Sequence, residues 1–384
     1  MKEANTLHGQ MKMRRMRVWK RIILALIVLI LIFVGALLVL QYVSYEHVNV
    51  VKVYESESSV NANYEQYAGG VLEYSKDGIA MLKENGEEIW NQPCQMGNPF
   101  IDICNDTVAV ADKGGTSILV FQKDGLKGEI QTTNPIENVT VSSQGIVAAL
   151  LKDEEVPRVM CYDAKGNLLV EHKATFSSTG YPMDVDLSQD GNVLAVSYLG
   201  VNGSAMEASV VYYHFGEAGE GKAEHRVAEF HYENAIVPVV EFLNKNISLV
   251  VTDSSLILMK GLEAPETFNT ISLDKEIKNI AYNEEMIAVV LKNAGNAGYE
   301  LRTYGLDGQP IYQCEFDSEF ANIKVEGDKV FLFDESKCAI YNKLGICKYS
   351  GNIEMQIKDI FPVMGYEKYN VISATGFQEI QLAK

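Results

Sequence analysis

The distribution of apolar residues along the chain changes character once, near residue 44. Before that point, residues 22–43 read IILALIVLILIFVGALLVLQYV, a run without charge in which only Gln41 is clearly polar. After it, apolar residues come in short runs rich in Val, Ile, Leu, Tyr and Phe, such as TVAVAD, SILVFQ, NVLAVSYL and KVFLFD. The first pattern predicts a membrane-spanning helix, because crossing a hydrocarbon core of about 30 Å takes about 20 residues. The second predicts strands, each bounded by turn residues. No later segment carries the 3.6-residue period of an amphipathic helix, so everything beyond the helix is predicted all-β.

The turns repeat. A hydrophobic residue followed four later by glycine occurs at Tyr74/Gly78, Leu82/Gly86, Phe121/Gly125, Tyr162/Gly166, Leu187/Gly191, Tyr304/Gly308 and Tyr341/Gly345. Asp77, Asn85, Asp124, Asp190 and Asp307 stand just before five of these glycines. Asp and Asn tolerate bridge or left-handed backbone, and glycine takes positive φ freely, so the motif predicts tight hairpins with a bulge. A longer register contains them. Strands of one type centre near Phe100, Val139, Val185, Val239, Ile280, Ile323 and Phe361. A spacing of roughly forty to fifty residues is that of a four-stranded propeller blade.

An additional unit precedes Phe100, with an inner strand expected near 61–67. The count favours an eight-bladed β-propeller over 61–384, with seven blades as the alternative. The last unit supplies only three strands. Residues 44–60 therefore read either as a stalk holding the ring off the membrane or, through VVKVYE (50–55), as the strand that closes it.

Charge adds sidedness. Lys12, Arg14, Arg15, Arg17, Lys20 and Arg21 precede the apolar run, whereas the first lysine after it is Lys52. Basic flanks stay inside, which predicts a cytoplasmic tail over 1–21, a single span over 22–43 and an extracytoplasmic remainder. Trp19 and Tyr42 sit where aromatic rings favour the lipid–water boundary. A cleaved signal peptide is disfavoured because the run exceeds a signal core and QYVSYEHV lacks a small-x-small cleavage site.

The formal net charge is −18. The first 21 residues carry seven basic side chains and one acid, which leaves 26 basic against 50 acidic side chains beyond them, a net of −24. So acidic a domain repels nucleic acid, and none is expected as a partner. Cys94, Cys104, Cys161, Cys314, Cys338 and Cys347 show no CxxC spacing, which argues against zinc. Most read as free core thiols, with Cys94/Cys104 and Cys338/Cys347 as the pairs close enough in sequence to test.

The phrases NPFIDICNDTVAVADKGG (98–115), NPIENVTVSSQGIVAALLKDE (134–154), TGYPMDVDLSQDGNVLAVSYL (179–199), IVPVVEFLN (236–244) and KEIKNIAYNEEMIAVVLKN (275–293) resemble a bacterial family of unknown function. That family, found mainly in Gram-positive anaerobes, comprises single-pass membrane proteins with a WD40/YVTN-like propeller. The resemblance covers nearly the whole chain, supports fold and topology, and implies no activity and no site residues.

Catalytic signatures are missing. His47, His172, His214, His225 and His231 form no ligand-spaced pair, no G-x-S-x-G elbow occurs, and AGNAG (294–298) lacks the Lys-Ser/Thr of a phosphate loop. His214 reads as an aromatic-rich strand end. The carboxylate pairs Asp184/Asp186 and Asp317/Glu319 are expected by chance in so acidic a chain. Asp186 and Asp190 fall short of a calcium loop and read as turn formers. No catalytic residue, cofactor or metal is expected. Insertions at 198–209 and 215–226 lengthen one unit and mark one rim as the place for a binding site. The reading is a membrane-anchored, non-catalytic binding or scaffolding module of the cell envelope with a protein or cell-wall partner. The alternative is a propeller hydrolase or lyase using channel carboxylates.

Overall fold

The computed structural model describes residues 2–55, 62–153, 157–173, 180–203, 205–296, 298–373 and 376–384. Within them, 32 strands pair into eight four-stranded antiparallel sheets, arranged as the blades of a propeller behind one N-terminal helix, α1 (Lys2–Gln41). The innermost strands of blades 1 to 8 are Asn63–Tyr67, Pro99–Cys104, Ile136–Val141, Tyr181–Leu187, Val239–Phe242, Glu276–Tyr282, Asn322–Glu326 and Asp359–Pro362. Each of the predicted centres falls inside one of them. The part of the first predicted inner strand at Asn61 lies outside the described residues.

Blade 8 is assembled from both ends of the chain. Asp359–Pro362, Lys368–Ser373 and Gly376–Ala383 form its first three strands, and His47–Glu55 pairs antiparallel with Gly376–Ala383 as the fourth. The ring thus begins a few residues after the helix ends at Gln41. That leaves little of 44–60 to act as a stalk, and 56–61 lie outside the described residues.

Eight hydrophobic clusters hold the ring, one at each blade-to-blade interface. Their composition explains the unbroken apolar runs of the sequence. In TVAVAD, Val108 and Val110 pack towards blade 1 while Ala109 and Ala111 pack towards blade 3. A strand covered on both faces needs no polar alternation. The closing interface between blades 8 and 1 uses Tyr64, Phe361, Ile372 and Phe377, with the rings of Tyr64 and Phe377 edge-on at 6.1 Å.

Five of the seven glycine motifs (Leu82/Gly86, Phe121/Gly125, Tyr162/Gly166, Tyr304/Gly308 and Tyr341/Gly345) are the turn between the third and fourth strands of a blade. In all five the pairing register shifts at the hydrophobic residue, which is the bulge. Gly345 shows why glycine is needed: its φ is +74° and an added Cβ would come within 2.7 Å of the Tyr312 ring. Gly78 departs from the expectation. It does not have positive φ and instead opens the third strand of blade 1.

The insertions also differ from the expectation of a single rim. Residues 198–209 are a strand extension, paired out to Asn202 and Ala205, between the second and third strands of blade 4. Residues 215–226 connect its third and fourth strands through two short 3₁₀ turns (Glu217–Gly219 and Ala223–His225). Because strand direction alternates, the two insertions emerge on opposite faces of the ring.

The helix end is built into the propeller. The last carbonyls of a helix lack internal partners, and here blades 7 and 8 supply them. Lys348, fully buried in the outer strand Cys347–Asn352 of blade 7, donates from Nζ to Leu40 O at 3.0 Å and Val43 O at 2.6 Å. Tyr366 Oη donates to Leu40 O at 3.1 Å, and Asn342 Nδ2 to Gln41 O at 2.8 Å. A cation at a helix C-terminus is also favoured by the helix dipole. The lysine lies 5.2 Å from the centre of the Tyr45 ring and 3.5 Å from Glu367 Oε1. Burial works against ionisation of Glu367, but Lys329, Tyr369 and Lys348 together hold its carboxyl below the usual range.

Lys348→Met keeps nearly the whole side-chain length and removes the charge, leaving the carbonyl of Val43 without its lysine donor and that of Leu40 with Tyr366 Oη as its side-chain donor. The loss expected is about 2–3 kcal/mol, read as a lower Tm of the full chain in detergent, with Lys343→Met at the exposed neighbouring turn as the near-neutral control.

Candidate acidic channel site

The inner strands leave one edge unpaired, since no fifth strand follows towards the axis. Their inward N–H groups need other acceptors. Carboxylates from neighbouring blades provide them. Asp102 Oδ2 (blade 2) accepts from Val141 N of blade 3 at 2.6 Å. Asp184 Oδ2 and Asp186 Oδ2 (blade 4) accept from Val240 N and Phe242 N of blade 5 at 2.8 and 2.6 Å. Their other oxygens reach back to blade 3, where Asn138 Nδ2 donates to Asp184 Oδ1 at 2.7 Å and Thr140 Oγ1 to Asp186 Oδ1 at 2.6 Å. Glu241 (blade 5) accepts from Tyr282 Oη (blade 6) at 3.3 Å. On the far side of the ring, Lys324 of blade 7 pairs with Asp359 of blade 8 and Glu65 of blade 1, each at 2.9 Å.

Four carboxylates thus converge in one wall of the channel, and burial opposes their charge. It pushes Asp102 and Asp184 up to about 6 although both accept N–H bonds that favour ionisation. Asp186 and Glu241 rise well above the usual carboxylate range, through burial first and then through the negative charges of Asp102 and, for Glu241, Asp186. Tyr282 rises for the same reasons, burial and then Glu241. Asp359 is also pushed up to about 6 by burial against the pull of Lys324, so that pair is charged at neutral pH. Burial raises the Cys104 thiol at the cluster's edge to about 12, which leaves it a thiol rather than a nucleophilic thiolate.

Asp102, Asp186, Glu241 and Tyr282 line a pocket of about 230 Å³ that also includes Gln189 and Glu284. Gln189 Nε2 donates to Glu284 Oε1 at 2.9 Å between the turns of blades 4 and 6. These turns join first to second strands, so the pocket opens on the face that also carries the turns gripping the helix end.

Of the carboxylate pairs read from the sequence, Asp186 meets Asp102 and Glu241 across the pocket, while Asp184 joins blades 3 and 5 beside it without lining it. Asp317 and Glu319 do not join them. They lie in the connection from blade 6 to blade 7, on the opposite face, where Glu319 borders a separate hollow with Lys278 and Phe320. Asp190 is a turn former, accepting from Ser188 Oγ at 2.6 Å and Asn192 Nδ2 at 2.8 Å. His214 Nδ1 accepts the N–H of Gly216 at 3.0 Å, a strand-end role. In AGNAG, Ala294–Asn296 form a 3₁₀ turn and residue 297 lies outside the described residues. Among the described residues, no group of three His, Cys, Asp or Glu side chains is arranged to hold a metal ion.

All six cysteines are free thiols, so neither sequence-near pair is joined. Cys338 faces Gly351 across the ladder while Cys347 faces Tyr341, which offsets the two thiols along adjacent strands. Cys94 and Cys104 pack into different interfaces.

Asp102, Glu241 and Tyr282 were not singled out from the sequence. For Asp102 and Glu241 the signal is an acid set in an otherwise apolar first strand (PFIDIC, VVEF), in the same place as the acids of YPMDVDL, whereas Tyr282 ends a mixed strand (EIKNIAY) and carries no such signal.

A raised folded-state carboxyl binds its proton where the unfolded chain has already released it. Its contribution to stability therefore falls as pH rises from the ordinary carboxylate range to about 6 and beyond. Lowering the pH from about 7.5 to 5.5 is expected to raise Tm, and Glu241→Gln to flatten that slope and raise Tm at the higher pH by on the order of 2–4 °C for each kcal/mol of repulsion removed. Glu220→Gln on the exposed insertion should leave the slope unchanged in the same thermal scans.

Similarity to known proteins agrees with this architecture. A computationally designed protein, Ika8, superimposes with a TM-score of 0.57 at 11% identity, over 86% of this chain and 99% of that one. BamB from Moraxella catarrhalis gives 0.53 at 11% identity, over 88% and 98% of the two chains. Apo AztD from Citrobacter koseri gives 0.53 at 12%, over 77% and 87%. At such identities the likeness is one of fold. No curated protein matches the sequence. A family model does, over residues 41–382, from the end of the helix through the last strand of the ring. The chain belongs to the family of unknown function DUF5711.

Proposed function

We propose that this protein is a membrane-anchored, non-catalytic binding or scaffolding module of the cell envelope. The residue 19–41 stretch of α1 (Trp19–Gln41) is long and apolar enough to span a membrane, and its basic flank argues for a cytoplasmic N-terminus and an extracytoplasmic ring. The observation that carries the reading is how the channel acids are used. Asp102, Asp184 and Asp186 spend their oxygens on backbone N–H, Asn138 and Thr140 groups of adjacent blades. They join blades and are not poised for a substrate. What remains for recognition is a rigid surface with one insertion on each face.

In-cell cross-linking and affinity capture with the full chain is expected to recover a specific envelope protein or cell-wall component. Shortening either the 198–209 hairpin or the 215–226 connection should abolish capture, and which one does so identifies the binding face. Capture of nothing above an anchor-only control, α1 fused to an unrelated domain, would overturn the reading.

One observation favours the hydrolase or lyase alternative. Among the described residues Glu241 has a single hydrogen-bond partner, Tyr282, and both face the pocket with raised affinity for protons, the condition of a general acid. Under that alternative, hydrolytic activity on envelope polysaccharides or peptides would fall at least a hundredfold in Glu241→Gln. Binding without such activity supports the scaffold.

A further inference from the structure

The turns that grip the helix end carry apolar side chains that stay exposed among the described residues. Met364 is 96% exposed and Tyr366 46%, both in the turn between the first two strands of blade 8. Leu344, in the turn between the third and fourth strands of blade 7, is 41% exposed, and Tyr42, just past the helix, 65%. Hydrogen bonds fix the Tyr366 and Leu344 turns at the helix end. Tyr366 donates to Leu40 O, and Asn342, two residues before Leu344, donates to Gln41 O. A nearly fully exposed methionine in the same turn as Tyr366 is unfavourable in water, even though it borders a hollow with Lys83 and Glu84 of blade 1, while apolar bodies with polar tips suit the lipid–water boundary.

We infer that this rim of blades 7 and 8 is a second membrane contact, in which Met364, Leu344, Tyr366 and Tyr42 enter the interfacial layer of the bilayer that α1 crosses. The occupant follows from continuity. The rim surrounds the point where the apolar helix leaves the ring, so the surface nearest to it is the leaflet itself. The joint makes the contact persistent: buried Lys348 ties Leu40 and Val43 to the outer strand of blade 7, and Ser44 Oγ donates to Cys347 O at 2.7 Å. A free tether would let the ring tumble away from the surface, and this one does not. The consequence reaches the site above. The pocket opens on the same face of the ring as this rim, so it is reached from the membrane side.

The inference rests on α1 being a membrane anchor, and the experiment separates the two. Full-length chain carrying Trp19→Phe is reconstituted into phosphatidylcholine vesicles, with and without a doxyl lipid labelled close to the headgroup. Met364→Trp and Val201→Trp are compared in that background. Val201 is exposed on the blade 4 hairpin of the opposite face, and Trp90 remains in both as a shared baseline. The emission added by Met364→Trp is expected to lose at least half its intensity to the spin-labelled lipid, and that added by Val201→Trp to be unaffected. Equal, weak quenching at both positions in protein that floats with the vesicles would overturn the membrane contact and leave the anchor standing. Protein that does not float with vesicles would remove the anchor and the contact together.

Discussion

The pairing of His47–Glu55 with Gly376–Ala383 is the constraint on which the rest of the molecule depends. A propeller whose last blade lacked its fourth strand would expose an unpaired sheet edge and leave the ring joined only through side-chain packing. Here the strand that completes the ring comes from the opposite end of the chain, immediately after the helix. Closure therefore fixes where the helix can be. It must leave the ring at blade 8, next to the outer strand of blade 7, and there the structure places a buried lysine, an asparagine and a tyrosine to satisfy the last helical carbonyls.

The inside of the ring obeys a related constraint. Eight inner strands each present an edge that no strand can pair, and blades 2 and 4 meet the requirement for blades 3 and 5 with aspartates accepting N–H bonds from the next blade. Gathering carboxylates in one wall costs free energy, because burial and mutual repulsion both disfavour their charged forms. Around the rest of the ring other contacts join the inner strands. Asn279 donates to Ala321 O between blades 6 and 7, and Lys324 neutralises Asp359 and Glu65 where the ring closes. The acidic wall is thus intelligible as a solution to backbone pairing before any ligand is invoked.

Much of this was legible in the residues. The apolar run announces the helix, and the hydrophobic-xxx-glycine phrases announce hairpins with bulges. The spacing of the first strands favours eight blades over seven, because each blade repeats the same demand for an inward strand, two doubly covered strands and a tight outer turn. VVKVYE offered a closing strand because the last unit was one short, with a stalk as the other reading, and the pairing with Gly376–Ala383 decides for the strand. The channel acids were less legible. Asp184 and Asp186 were visible as a pair, but nothing local joins them to Asp102 or Glu241, which come from other blades. Lys348 was invisible for the same reason: in CKYSGN it reads as a lysine on an edge strand, yet it is fully buried.

What the sequence determined by itself, then, was what has a local or periodic cause: the apolar helix, the strand lengths, most of the turn chemistry and a period that favours eight units over seven. Those depend on residues a few positions apart or on a repeated pattern. Only the tertiary structure decided which acids share a pocket, that the two insertions of blade 4 leave by opposite faces, and that the helix is clamped to the ring. Each of those follows from closing the ring, which brings residues some three hundred positions apart, such as Leu40 and Lys348, within hydrogen-bond distance.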